Sequence, residues 1–287
     1  MESTLKQTPE EGYFGHQHLT VIQPTRGWRA LDLRELWAYR ELLWVLALRD
    51  IQVRYKQTAL GASWAILRPL LTMLIFTVVF GRFAKIPSDG IPYSIFVFAG
   101  LMPWTYFASA VASSGASLVG SANLVSKVYF PRLIVPLSAI GASLVDLLVS
   151  AGVLFILMAW YGVGWSANLL AAPFLVLAVT FTALGVGVLL AAITVTYRDV
   201  NHLLPFLIQT WLYVTPVIYP SSLVPERLRP LLDLNPMTGL IEAFRSAFLG
   251  RPFDVRSLAI SLGISLALFG VGVAYFERVE RRFADVI

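Results

Sequence analysis

Leu169-Leu-Ala-Ala-Pro-Phe-Leu-Val-Leu-Ala-Val-Thr-Phe-Thr-Ala-Leu-Gly-Val-Gly-Val-Leu-Leu-Ala-Ala-Ile-Thr-Val195 runs for 27 residues without a charged side chain. A hydrocarbon core about 30 Å thick is crossed by roughly 20 helical residues, so this stretch is long enough to span a bilayer. It is continuously apolar and does not alternate. An isolated strand in lipid would leave its backbone groups unpaired, whereas a helix pairs them internally. The stretch predicts a membrane helix, and with it an all-α integral membrane protein.

Five further stretches on either side read the same way: Leu67 to Phe83 with Arg68 at its edge, Ile91 to Ala112, Leu133 to Tyr161, Leu203 to Tyr219, and Ser257 to Phe276. The third is long enough to tilt. Six transmembrane helices are therefore expected, at about 67–83, 91–112, 133–161, 169–195, 203–219 and 257–276. The composition agrees. Across 287 residues the mean hydropathy is +0.71, and only 14% of residues are charged, against about a quarter in a soluble domain.

Lys and Arg set the orientation, because they collect on cytoplasmic loops. With six spans, fifteen of them fall on the side holding both termini and seven on the other. Both ends are expected in the cytoplasm. The net charge of +5 then belongs to the membrane surface rather than to nucleic acid. Residues 1–30 contain Glu2, Glu10 and Glu11 and no apolar core of a secretory signal, so the first span is expected to stay as an anchor. With no cysteine, disulfides, thiolate metal sites and a thiol nucleophile are excluded. His16 and His18 form a pair in a polar tail, with no third ligand nearby to make a metal site.

Three segments are neither span nor plain loop. Residues 29–56 place Leu33, Leu36, Trp37, Trp44, Leu48, Ile51 and Tyr55 at helical spacing among Arg34, Arg40, Arg49, Arg54 and Lys56. That pattern predicts a helix lying in the interface plane. It serves either as an anchor for the first span or as a surface that receives force from a cytoplasmic partner, and pattern alone leaves both open. Ser121-Ala-Asn-Leu-Val-Ser-Lys-Val-Tyr-Phe-Pro-Arg132 is short and partly apolar. It reads as a surface helix that exposes Val128, Tyr129 and Phe130, for docking or simply for resting on the bilayer. Between the fifth and sixth spans, residues 220–254 are too apolar for an ordinary loop. Asn235-Pro236 reads as a helix cap and first turn, Met237, Leu240, Ile241, Phe244 and Phe248 follow as a stripe, and Gly250 is a stop. Glu242 and Arg245 are spaced to pair. With a shorter helix within 225–232, this predicts two re-entrant or interfacial helices on the outer side.

Asp146 is the one carboxylate deep inside an expected span, where insertion costs roughly 2.5–3.5 kcal/mol. It either lines a pathway or gate, or bonds a Ser or Thr of a neighbouring helix. Trp104, Tyr106, Phe107, Trp211, Tyr213 and Tyr219 lie near span ends. They fit an aromatic belt at the headgroups or the wall of a channel whose ring faces slide along sugars.

No GxxxxGK followed by Ser or Thr, no GxSxG and no HExxH occurs, so the chain carries no phosphate-binding loop and no hydrolase motif. Asp146 alone is thin for a proton-coupled carrier, and no half-to-half repeat is evident. Energy for any active transport is expected from another polypeptide.

Arg49-Asp-Ile-Gln-Val-Arg-Tyr-Lys-Gln-Thr-Ala-Leu-Gly-Ala-Ser-Trp64 followed by Ile66-Leu-Arg-Pro69 resembles the start of the first span in permease subunits of type-2 ABC exporters. Tyr197-Arg-Asp199, Thr215-Pro-Val-Ile-Tyr-Pro220 and Leu234-Asn-Pro-Met-Thr-Gly-Leu-Ile-Glu-Ala-Phe-Arg245 are similar to the same family. The resemblance is closest to its polysaccharide branch, which exports O-antigen, capsule or teichoic acid. It covers roughly residues 30–285 and leaves 1–28 as a polar cytoplasmic tail.

The resemblance implies a transport subunit of the bacterial inner membrane, without its own ATPase and without a cofactor or metal. It implies a homodimer working with two ABC ATPase subunits, which bind ATP and Mg. It assigns ATPase coupling to the surface helix, with Arg49, Arg54, Tyr55 and Lys56, and to the loop with Lys127, Tyr129 and Arg132. The implied cargo is a polyprenyl-linked polysaccharide, whose diphosphate Arg49, Arg54 and Lys56 would meet. Asn235, Glu242 and Arg245 fall on the outer re-entrant helix. A drug or lipid exporter is the alternative within the class. A membrane enzyme acting on lipid-linked sugars, built on Glu226, Asp233, Glu242 or Asp254, is the alternative outside it.

Overall fold

The computed structural model describes residues 33–56, 63–280 and 283; the expected tail at 1–28, His16, His18 and residues 29–32 lie outside them. Among the described residues every regular element is helical and no strand occurs. In chain order the helices are α1 (Leu33–Ala38), α2 (Arg40–Tyr55), α3 (Ser63–Phe76), α4 (Tyr93–Gly120), α5 (Ala122–Lys127), α6 (Ile134–Ser138), α7 (Gly141–Trp160), α8 (Ala172–Thr196), α9 (Val200–Val214), α10 (Arg229–Asp233), α11 (Pro236–Leu249) and α12 (Val255–Glu280). A π-helical stretch, Thr77–Phe83, continues α3, and a 3-10 turn, Ala167–Ala171, leads into α8.

Five of the expected spans are long and apolar enough to cross a bilayer: Ser63–Phe83, Tyr93–Gly120, Ile134–Trp160, Ala167–Thr196 and Val255–Glu280. The chain is a multi-pass membrane protein. The first span already includes Ser63, so Arg68 sits more than a turn inside the helix rather than at its edge, with its side chain exposed. The second span extends two turns past Ala112, and the third breaks at Ala139 and Ile140 between α6 and α7.

The fifth stretch departs most from expectation. α9 has 15 residues and is about 22 Å long, short of the hydrocarbon thickness. It stops at Val214 because Thr215 precedes Pro216. The proline ring pushes the residue before it out of the helical region, and Thr215 is extended, with φ −88° and ψ 139°. Tyr219, expected on the helix, lies beyond its end. A window of hydropathy passes over this break, since Val217 and Ile218 are as apolar as the helix before them.

The core is built by close helix crossings. α8 packs between α4 and α12. A methyl group on Gly272 would stand 2.3 Å from the Gly185 carbonyl oxygen, and one on Gly185 2.6 Å from the Phe269 nitrogen, so backbones touch where α8 and α12 cross. Thr182 bonds its hydroxyl to Ser265 at 2.7 Å in the same seam. Small residues that let helix backbones meet, with a hydroxyl bond across, are the usual means of joining helices in lipid.

α2 packs against α6 and α7, burying Leu46 and Ala47 while Trp44, Val45 and Val53 stay exposed. The helix thus presents an apolar side outward, as an interfacial helix does. At the opposite end of the bundle, the two short helices before the last span are α10 and α11. Asn235 caps α11, its side-chain oxygen accepting from the Met237 N–H at 3.1 Å, and Gly250 ends it in the left-handed region at φ 67°. All of α11 but Glu242 is buried.

Candidate functional site

The C-terminal turn of α2 brings Arg54 and Tyr55 to the first turns of α7. Arg54 Nη1 lies 2.5 Å from Asp146 Oδ2 and its Nη2 donates to Ser113 Oγ of α4 at 3.2 Å. The Tyr55 hydroxyl donates to the other carboxylate oxygen of Asp146. Burial first, and then that bond to the carboxylate, push the Tyr55 phenol up to about 12, so it remains a neutral donor. The interhelical bond expected for Asp146 is made, but to an Arg and a Tyr of the surface helix rather than to a Ser or Thr. The pairing explains how a carboxylate is tolerated there, since intramembrane charges pair or face water.

A cavity of about 430 Å³ opens beside this network. It is lined by Arg54, Tyr55 and Asp146, by Trp64, Arg68 and Thr72 of α3, and by Thr105 and Ser109 of α4. Its lining is mixed, with hydroxyls and charges placed between apolar helices.

Of the other residues assigned to coupling, Arg49 turns to its neighbour Asp50 at 2.8 Å, and Lys56 and Lys127 are exposed. α5 ends at Lys127 and does not run on to Arg132. In the stretch after it, Tyr129 is 64% exposed and Val128 52%, but Phe130 is 4% exposed. The expectation that all three stand out is corrected: Phe130 is packed inside and anchors the loop. Arg132 turns inward as well. Its backbone N–H donates to Glu280 Oε1 at 3.2 Å and its guanidinium donates to the Glu280 carbonyl. α2, the 121–132 loop and the end of α12 therefore share one end of the bundle.

The aromatics assigned to a channel separate into two groups. Trp104, Tyr106 and Phe107 are buried within the protomer. Trp211 of α9 packs edge-on against Trp104 and Phe107, with centroids at 6.4 and 5.1 Å, and Tyr106 bonds Thr180 at 2.7 Å. These rings join α4 to α8 and α9. Tyr213 is exposed. Tyr219 is half-buried, its hydroxyl donating to the Val214 carbonyl at 3.1 Å, and so it caps the broken end of α9.

Around that break Asn235, Glu242 and Arg245 converge. Asn235 accepts from Trp211 Nε1 at 3.0 Å and donates to Thr215 Oγ1 at 2.8 Å. Arg245 is 2% exposed. It donates to the carbonyls of Pro216 at 2.8 Å and Val217 at 2.6 Å, pairs with Glu242 at 3.4 Å, and lies 3.8 Å over the Phe96 ring. The guanidinium thus satisfies carbonyls that the ended helix leaves without N–H partners. Glu242, an alternative candidate for an acid or base, has an oxygen committed to this knot, where it also accepts from the Ser221 N–H at 3.3 Å.

Sequence reasoning missed Ser113 and Glu280. Glu280 had a faint signal, an acid set among Arg278, Arg281 and Arg282. Ser113 had none, because its importance lies in what approaches it.

Comparison with known proteins adds to this geometry. The model of the ABC-2 type transporter family matches residues 41–249. The O-antigen export system permease protein RfbA of Myxococcus xanthus is 33% identical over 89% of this chain and 98% of its own. The protein of the same name from Klebsiella pneumoniae is 27% identical over 86% of this chain and 95% of its own. The polysialic acid transport protein KpsM of Escherichia coli is 26% identical over 78% of this chain and 90% of its own.

Proposed function

This chain belongs to the ABC-2 type transporter family, and from that premise we propose that it is the membrane subunit of an ATP-driven exporter of lipid-linked polysaccharide. The observation that carries the proposal is likeness over nearly the whole length of an O-antigen permease. As a permease of this family the chain is the transport part of an ABC transporter, with an ATPase as partner. In our reading it sits in the bacterial inner membrane with both termini in the cytoplasm, and two copies form the path. Two separate ATPase subunits hold ATP and Mg.

The geometry supports a division of labour. At the cytoplasmic end, exposed Val128 and Tyr129 and the open side of α2 are surfaces for the ATPase. Movement of α2 passes into the membrane through Arg54 and Tyr55, which grip Asp146 on α7. The diphosphate of the cargo is met by Lys56, since Arg54 is committed to Asp146 and Arg49 to Asp50. At the outer end, α10 and α11 form the mouth.

The test is deletion of the gene, followed by complementation and by purification in mild detergent. Loss of surface polysaccharide, with lipid-linked glycan accumulating inside and an ATPase co-purifying in one-to-one ratio, is expected. An ATPase without any change in surface glycan would move the cargo to a drug or lipid. Normal export in the deletion strain would end the polysaccharide reading.

A further inference from the structure

Both ends of α12 are interlocked with the segments that an exporter has to connect. At the cytoplasmic end Glu280 receives the Arg132 backbone N–H on its carboxylate and the Arg132 guanidinium on its carbonyl. That guanidinium also stands 6.0 Å over Phe283, whose ring packs edge-on against Phe276 at 5.3 Å. Phe276 and Phe283 are fully buried, so the end of the coupling loop is seated in a formed socket.

At the outer end, the Gly239 N–H of α11 donates to Ser261 Oγ at 3.0 Å. A methyl on Gly239 would stand 2.3 Å from the Ser257 carbonyl oxygen, so α11 and α12 touch backbone to backbone. The Ser257 hydroxyl also reaches Asp233 of α10 at 3.4 Å.

Between these ends α12 is unbroken. Its 26 residues make about 39 Å of helix with no proline, whereas α3, α4 and α9 carry Pro69, Pro103 and Pro205 inside. A helix without a proline hinge resists kinking, and energetic coupling across a membrane passes through packed contacts and rigid elements.

We infer that α12 carries displacement of the coupling loop to the outer helix α11, and that Glu280 and Phe283 are positioning residues that seat Arg132 on it. This inference rests on the exporter reading above. It differs from the route through Arg54 and Asp146, which enters α7. The loop thus has its own line to the outer mouth, and the ATPase stroke reaches both ends of the protomer together.

The experiment uses the permease–ATPase complex in lipid nanodiscs. The chain has no cysteine, so a single Leu234→Cys, at an exposed position just before α11, carries a spin label in each protomer. In the otherwise wild-type complex, trapping the ATPase with a non-hydrolysable ATP analogue should shift the label-to-label distance. In a Glu280→Ala, Phe283→Ala double variant that shift should vanish and export should fall about tenfold, while the ATPase stays bound and hydrolyses near its wild-type rate. A single Glu280→Gln, which keeps an acceptor oxygen and the Phe283 ring, should leave both near the wild-type level. Gly239→Ala, which disturbs the other end, should uncouple in the same way and carries the test if the double variant is not assembled. An undiminished distance shift, or wild-type export, in either uncoupling variant would overturn the inference. No bound ATPase and no shift in the wild-type complex would instead overturn the exporter reading.

Discussion

The guanidinium of Arg54 and the carboxylate of Asp146 meet at 2.5 Å, although 92 residues separate them in the chain. One belongs to a helix on the membrane surface and the other to a membrane-spanning helix. With Tyr55 on the second oxygen, the carboxylate has a cation and a neutral donor, and α2 is fixed to α7 at one point.

Removing the cation leaves a charge in the membrane with one donor. Arg54→Ala should destabilise the protomer by about 2 kcal/mol, the usual cost of stranding a part-buried polar partner. Asp146→Asn should cost less, because the amide still accepts from Tyr55. Both are read from thermal unfolding in detergent. An Arg54→Ala, Asp146→Asn double variant should be more stable than Arg54→Ala alone, and additive losses would show that the two do not act as a pair.

Arg245 is the second point where one side chain holds several elements. Arg245→Met removes the donor to Pro216 and Val217 and leaves Glu242 without its cation. The expected loss is about 3 kcal/mol, as for breaking a buried ion pair from one side. Arg245→Lys should recover only part of it, because an ammonium cannot reach both carbonyls while lying flat on Phe96. Equal stability of the Lys variant and the wild type would contradict the bonding described.

Phe130 and Tyr129 are adjacent, yet their variants should differ in kind. Phe130→Ala empties a packed position and should cost about 3 kcal/mol of stability. Tyr129→Ala removes an exposed ring and should leave stability within about 0.5 kcal/mol while weakening retention of the ATPase. Quantifying the co-purified ATPase alongside the melting temperature separates the two. Equal retention with Tyr129→Ala and the wild type would remove Tyr129 from the docking surface.

Gly272→Ala adds one methyl against a carbonyl of the facing backbone. The helices must part, at a cost of roughly 1–3 kcal/mol. Gly263→Ala, on the same helix with open space around it, should be neutral or slightly stabilising. If the two variants melt alike, the contact at Gly185 is not the close one described.

How much of this was legible in the sequence depends on the range of the interactions. The cap at Asn235, the stop at Gly250 and the pairing of Glu242 with Arg245 are local backbone and helix-spacing effects, and the residues announce them. The long apolar helices are announced by the bilayer's thickness. The end of α9 was legible in Thr215-Pro216 but was masked by the apolar residues after it. The partner of Asp146, the seat of Arg132 and the burial of Trp104 and Phe130 depend on which helices lie side by side, and no single stretch encodes that.

The early end of α9 also bears on how the protein is made. The carbonyls of Pro216 and Val217 receive their hydrogen bonds from Arg245, which lies 29 and 28 residues further along the chain. As the polypeptide emerges, this half-span is synthesised before its donor exists. Until α11 is made these two carbonyls lack that donor, and carbonyls without partners are costly in hydrocarbon. The end of the fifth segment therefore reaches its final bonding only after α11 has been synthesised and has packed against it.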